Sequence, residues 1–145
     1  MFYGLLKTLV RICTAIYFKR IVVTGLEKLP DRGPAIIVAN HPNTLMDPLL
    51  IAAEVKQRIG FVANAGLFRN RLLTAMFRYF HVIPIFRKKD VAPGEKPDNT
   101  QAFAQCHAYL AQGGTFLIFP EGSSYYEINL REFKTGTARI ALSYA

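Results

Sequence analysis

The sequence predicts an α/β fold: a single domain with a mostly parallel central sheet flanked by helices. Two observations carry this. Short apolar runs, read as strands, alternate along the chain with stretches of helical periodicity. The chain is 145 residues long and 51% hydrophobic, which is one domain's worth and enough for a sizeable core.

Taken in order, residues 1–18 are apolar except for Lys7, Thr8, Arg11 and Thr14, which recur at helical spacing. This predicts an amphipathic helix with a wide apolar face. Two central cations argue against spanning a bilayer, and the interrupted apolar run argues against a secretory signal. The expected place of the helix is the membrane interface, with Lys19 and Arg20 at head-group level; the alternative is packing on the domain's own core.

Residues 20–24 are β-branched and read as a first strand, followed by a turn-rich connection over 25–33 and a second strand over 34–39. Pro48 opens a helix over 48–58 with Asp47 as its N-cap, since the residue before proline is pushed out of the helical region. A third strand (59–64), a basic helix (67–79), a strand (80–86), a polar loop (88–97) and a helix (98–112) with Asp98 and Gln101 as a capping box come next. Gly113 and Gly114 end that helix, residues 115–119 form a further strand, and a last helical pattern begins near Thr137.

The net charge is +8 with pI near 9.7, which favours anionic partners: nucleic acid, phospholipid head groups or phosphorylated substrates. Mean hydropathy is positive (+0.17) and the basic residues are scattered, so a membrane surface is preferred and no nucleic-acid partner is expected. Cys13 and Cys106 have no metal-like spacing and read as reduced cytosolic thiols; no metal is expected.

Chemistry-bearing residues gather where strands end, the crevice in which open α/β sheets bind ligands. The run at 35–39 stops at Asn40 and His41, with Asp47 six residues after the histidine. That spacing turns through roughly 600° on a helix, so the two side chains must meet across a turn. A carboxylate can cap a helix with one oxygen and orient an imidazole with the other. Strand 80–86 runs into Arg87, Lys88 and Lys89, cations suited to a phosphate. Strand 115–119 breaks at Pro120, Glu121, Gly122, Ser123 and Ser124, where Gly122 lets backbone approach a ligand. A hydrolase triad built from these serines lacks the G-x-S-x-G elbow, and residues 133–139 lack the order of a phosphate loop. His81 and His107 match no spacing and are assigned to core or surface.

Three motifs in order, NH with a following Asp47, VIPIFR ending in Arg87, and FPEG, resemble the His/Asp-motif glycerolipid acyltransferases, the 1-acylglycerol-3-phosphate acyltransferase superfamily. The five residues between His41 and Asp47, where four are usual, and Ser124, where arginine is usual, resemble the glycerol-3-phosphate and dihydroxyacetone-phosphate acyltransferase branch. The resemblance implies His41 as general base, Asp47 as its orienter, and Arg87, Glu121, Gly122 and Ser123 as positioning the acceptor, with Lys134 beside its pocket.

It also implies transfer of a fatty acyl group from coenzyme A or acyl carrier protein to glycerol 3-phosphate or its 1-acyl derivative, without a cofactor or covalent nucleophile. The implied location is peripheral, on the cytoplasmic face of the membrane. Residues 19–145 would form the acyltransferase domain, truncated before a fourth motif that family members usually carry. The competing expectation is a non-catalytic module binding anionic lipid.

Overall fold

The computed structural model describes residues 2–127 and 129–145, apart from the side chain of Arg69; Met1, the first residue of the expected N-terminal helix, lies outside them. Among the described residues four strands form one sheet in the order β1-β4-β2-β3: β1 is Ala35–Val38, β2 Ile59–Asn64, β3 Val82–Ile85 and β4 Thr115–Ile118. Every pairing is parallel, with Ala35 opposite Thr115, Ile59 opposite Thr115 and Phe61 opposite Val82. All carboxyl ends therefore open on one edge.

β4 is the centre of this arrangement, and all four of its residues are buried. Its side chains alternate between faces, as a strand's must. Phe116 and Ile118 join Ile83, Ala102, Cys106, Leu110 and Ile140 beneath helices α4 (Thr100–Ala111) and α5 (Gly136–Tyr144). Leu117 points the other way, to Val55 and Ile59, with Ile37, Ile51 and Phe119 around it beneath α2 (Met46–Glu54). A sheet covered on both faces explains why its strands read as continuous apolar runs.

Several boundaries differ from the sequence reading. Residues 20–24 form no strand: neither edge, β1 or β3, pairs with them, and Ile21, Val22 and Val23 are exposed. The expected helix over 67–79 is split into a 3₁₀ turn (Ala65–Arg69) and α3 (Arg71–Tyr79), because the Asn70 side chain accepts the N–H groups of Leu72 and Leu73 and starts a new helix. Asp98 accepts the Thr100 N–H at 2.9 Å, while Asn99 is the N-cap of α4; the Asn99 amide instead pairs with the backbone of Phe86 at 2.8 and 2.9 Å.

Helix α1 (Phe2–Tyr17) is mounted with Lys7 and Thr14 turned inward, while Thr8 and Arg11 remain exposed. It packs on α2, where Lys7 Nζ donates to the Val55 carbonyl, Arg11 lies 3.9 Å from Glu54, Tyr3 accepts the Ile59 N–H, and Thr14 is buried. Burial and the neighbouring Arg11 hold the Lys7 pKa below its usual value. Phe2, Leu5, Leu9, Ile12, Ile16 and Tyr17 face outward, with Ile16 81% exposed.

Candidate active site

Because β1 and β4 are parallel neighbours, the residues leaving them are juxtaposed. The Ala39 N–H donates to Ile118 O at 3.4 Å, extending the ladder one step past the strands. Just beyond, the His41 imidazole lies flat on the Phe119 ring, with centroids 3.8 Å apart and planes 11° from parallel. The Tyr125 N–H donates to His41 O at 3.0 Å and fixes the backbone on the other side.

His41 and Asp47 do meet across the turn: Nδ1 is 3.0 Å from Asp47 Oδ2. The turn between them is closed by Asn43. Its side chain accepts the Met46 N–H at 3.3 Å, and its backbone N–H donates to Asp47 Oδ2 at 2.7 Å. Asp47 is consequently not the N-cap expected from its place before proline; it lies inside the first turn of α2, whose N-cap position is Leu45, without a side-chain cap, while Asn43 two residues earlier takes the Met46 N–H. Proline is tolerated there because its missing N–H would have had no partner. A single oxygen, Oδ2, takes both the imidazole and the backbone N–H.

With the carboxylate facing Nδ1, that nitrogen carries the proton and Nε2 keeps the lone pair. The two side chains are 13% and 16% exposed, so the pair is shielded from water yet reachable by a ligand. The arrangement is that of an oriented base.

Arg87, at the exit of β3, reaches across the edge: Nη1 is 3.4 Å from Ser123 Oγ. Its Nε and Nη2 are held by Asp90, both at 2.9 Å. The next residue, Ser124, bonds Thr44 through their hydroxyls, so the β4 exit loop touches both the histidine turn and the arginine turn. Glu121 is buried (8% exposed) at the base of this loop. Gly122 has φ +76, which glycine adopts without strain. The Lys134 N–H donates to Pro120 O at 2.7 Å, and its stem packs beside Gly122. The candidates thus fall into two directly linked groups, His41 with Asp47 and Arg87 with Ser123, and a loop carrying Glu121, Gly122 and Lys134.

His81 stacks on Tyr109 (4.8 Å), and His107 Nε2 is 2.9 Å from Ser143 Oγ and 3.2 Å from Ile140 O, joining α4 to α5. Both contacts lie outside this constellation. Sequence reasoning missed Phe119 as the platform for His41, Asn43 as the acceptor of the Met46 N–H, Thr44 and Tyr125 as ties, and Asp90. Only Asp90 carried a legible signal, a carboxylate three residues after Arg87 in a polar turn.

The acyltransferase family profile matches residues 20–144. A curated 1-acyl-sn-glycerol-3-phosphate acyltransferase of Borreliella burgdorferi is 28% identical over 125 residues, which are 85% of this chain and 46% of that protein. A Chlamydomonas reinhardtii protein of the same name is 25% identical over 126 residues, 86% of this chain and 35% of the relative. An uncharacterized acyltransferase of Schizosaccharomyces pombe is 31% identical over 81 residues, 52% of this chain and 12% of that protein. The chain therefore spans less than half the length of these relatives. Among solved structures, the 1-acyl-sn-glycerophosphate acyltransferase PlsC of Thermotoga maritima superimposes with a TM-score of 0.73 at 24% identity, over 98% of this chain and 53% of that one, a likeness of fold. With the family profile covering residues 20–144, the chain belongs to the acyltransferase family.

Proposed function

We propose that the chain moves a fatty acyl group from a thioester of coenzyme A or acyl carrier protein to a hydroxyl of glycerol 3-phosphate or 1-acylglycerol 3-phosphate. The observation that carries this is the His41–Asp47 pair, with Nε2 left as base at the sheet edge where Arg87 meets Ser123. Nε2 takes the acceptor's hydroxyl proton as its oxygen attacks the thioester carbonyl carbon. Asp47 stabilises the imidazolium. Collapse of the tetrahedral intermediate breaks the C–S bond, and the departing thiolate takes the proton back. Arg87 holds the acceptor's phosphate, and Glu121, Gly122, Ser123 and Lys134 shape its seat.

His41→Ala is expected to lower acyl transfer by about 100-fold or more. Acid trapping after incubation with labelled acyl-coenzyme A is expected to recover no acyl-protein. A stable serine ester, or near wild-type turnover in the variant, would defeat this mechanism.

The outward apolar face of α1 supports a second element of the proposal, docking on an anionic membrane surface. Among the described residues no helix is long and apolar enough to cross a membrane. Lys7 is turned onto α2 and Arg11 lies beside Glu54, so attraction to lipid falls to Lys19 and Arg20, at up to about 1 kcal/mol each. The double variant Leu9→Asp/Ile16→Asp, outside the α1–α2 contact, is expected to abolish co-flotation with anionic liposomes without lowering the melting temperature. Retained flotation would detach α1 from that role and leave the catalytic reading standing.

A further inference from the structure

The Arg87 guanidinium does not stand free at the sheet edge. Asp90 holds its Nε and Nη2 through separate oxygens, both at 2.9 Å, and accepts the Arg87 backbone N–H at 2.8 Å; the Asp90 N–H returns a bond to Arg87 O at 2.9 Å. Four hydrogen bonds between two residues three positions apart close a single 3₁₀ turn, Lys88–Asp90. Capping that turn requires only an acceptor for the backbone N–H. The fork onto the guanidinium goes beyond capping, and both side chains are largely covered, at 26% and 19% exposed.

A guanidinium presents two edges to an oxyanion. With the Nε/Nη2 edge occupied, the remaining edge includes Nη1, which is directed at Ser123 on the β4 exit loop. We propose that Asp90 is a positioning residue for acceptor binding: it locks Arg87 so that its Nη1/Nη2 edge is presented, preorganised, to a phosphomonoester lying against Ser123. This rests on the reading of Arg87 as the phosphate-binding group. The lock also sets the geometry by which lysine could not replace arginine, since an ammonium has no second edge to offer. The ordinary alternative is that Asp90 only competes with the phosphate for the arginine's charge, and the two predict opposite signs. A positioning carboxylate strengthens phosphate binding by removing the cost of ordering the arginine, whereas a competing one weakens it.

The test is calorimetric binding of glycerol 3-phosphate, with glycerol as the uncharged control, to the 145-residue chain and its variants. Asp90→Asn is expected to weaken glycerol 3-phosphate about tenfold, on the scale of one lost charge-assisted contact, with coenzyme A affinity within about twofold of wild type. Asp90→Glu should restore part of the loss. In an Arg87→Ala background, itself weakened tenfold or more, Asp90→Asn should add nothing. Should Asp90→Asn melt early, Asp90→Ser, which keeps an acceptor for the backbone N–H, provides the same comparison. Unchanged or tighter binding in Asp90→Asn, or a loss that persists without Arg87, overturns the positioning role alone. Wild-type binding by Arg87→Ala, or no preference of the wild-type chain for glycerol 3-phosphate over glycerol, overturns the reading of Arg87 beneath it.

Discussion

Replacing Asp47 by asparagine should harm acyl transfer less than replacing it by alanine, and the reason is the shared oxygen. Oδ2 accepts both His41 Nδ1–H and the Asn43 backbone N–H, at 3.0 and 2.7 Å. The backbone donor cannot reverse its role. In Asp47→Asn it therefore holds the amide oxygen, rather than the amide nitrogen, at the Oδ2 position, and the imidazole keeps its acceptor and its tautomer. What is lost is the negative charge. A charge-assisted hydrogen bond contributes about 1.5–3 kcal/mol against about 0.5–1.5 for a neutral one. The difference, about 1–1.5 kcal/mol, corresponds to about a tenfold lower rate. Asp47→Ala removes the acceptor itself, frees the ring to take either tautomer and leaves the Asn43 N–H without its partner, so a loss of about 100-fold or more is expected. Single-turnover release of coenzyme A from acyl-coenzyme A, with lysophosphatidate as acceptor, measures both. If the asparagine variant is as slow as the alanine variant, the backbone does not set the amide's orientation and the argument from Oδ2 fails.

Burial pushes the Cys106 thiol up to about 11, and only 1% of the residue is exposed, whereas Cys13 lies on the outward side of α1. Native protein should titrate one thiol with a disulfide reagent and two after denaturation; two fast thiols in the native state would contradict the packing of α4. Cys13 should be protected by anionic vesicles if α1 lies in the interface, which labelling with and without vesicles reads directly. His81 is held below its usual pKa by burial and then by Arg58. Its unfolded form binds the proton more readily, so the stability it contributes is full above about pH 6.5 and declines as pH falls through that value toward the folded pKa. His81→Asn, which suits the φ of +51, should show a shallower loss of denaturant stability from pH 7 to pH 5. An identical slope would remove His81 as the source.

The sheet and its edge were legible because buried strands bounded by turn residues leave little ambiguity: β2 occupies Ile59–Asn64, as its apolar run indicates. Residues 20–24 carry the same β-branched signature without a partner strand, and composition does not reveal whether a neighbour exists to complete the ladder. The Asp47 reading failed through a local competition. Proline placed the start of α2 at residue 48, whereas the helix begins at Met46, where Asn43, three residues earlier, accepts the Met46 N–H and its turn carries the chain into the helix. For α1, periodicity identified which residues share a side and not which side is covered. Part of the polar stripe is covered because the end of α2 supplies partners for it, the Val55 carbonyl for Lys7 and the Glu54 carboxylate beside the half-exposed Arg11. The candidate residues lie at strand ends, which turn chemistry marks in the sequence, whereas the contacts of Phe119, Asp90 and Tyr125 are brought about only by the folded backbone.

Helix α2 has its two ends committed to different tasks. Its first turn holds Asp47, and its last residues, with Val55 just beyond, receive α1. Eight residues at 1.5 Å each separate Asp47 from Val55, a rod about 12 Å long. On the proposed docking of α1, that rod sets the spacing along α2 between the helix that would meet the bilayer and the turn that orients the histidine. The seat of α1 and the orientation of His41 are thus assigned to opposite ends of one short segment.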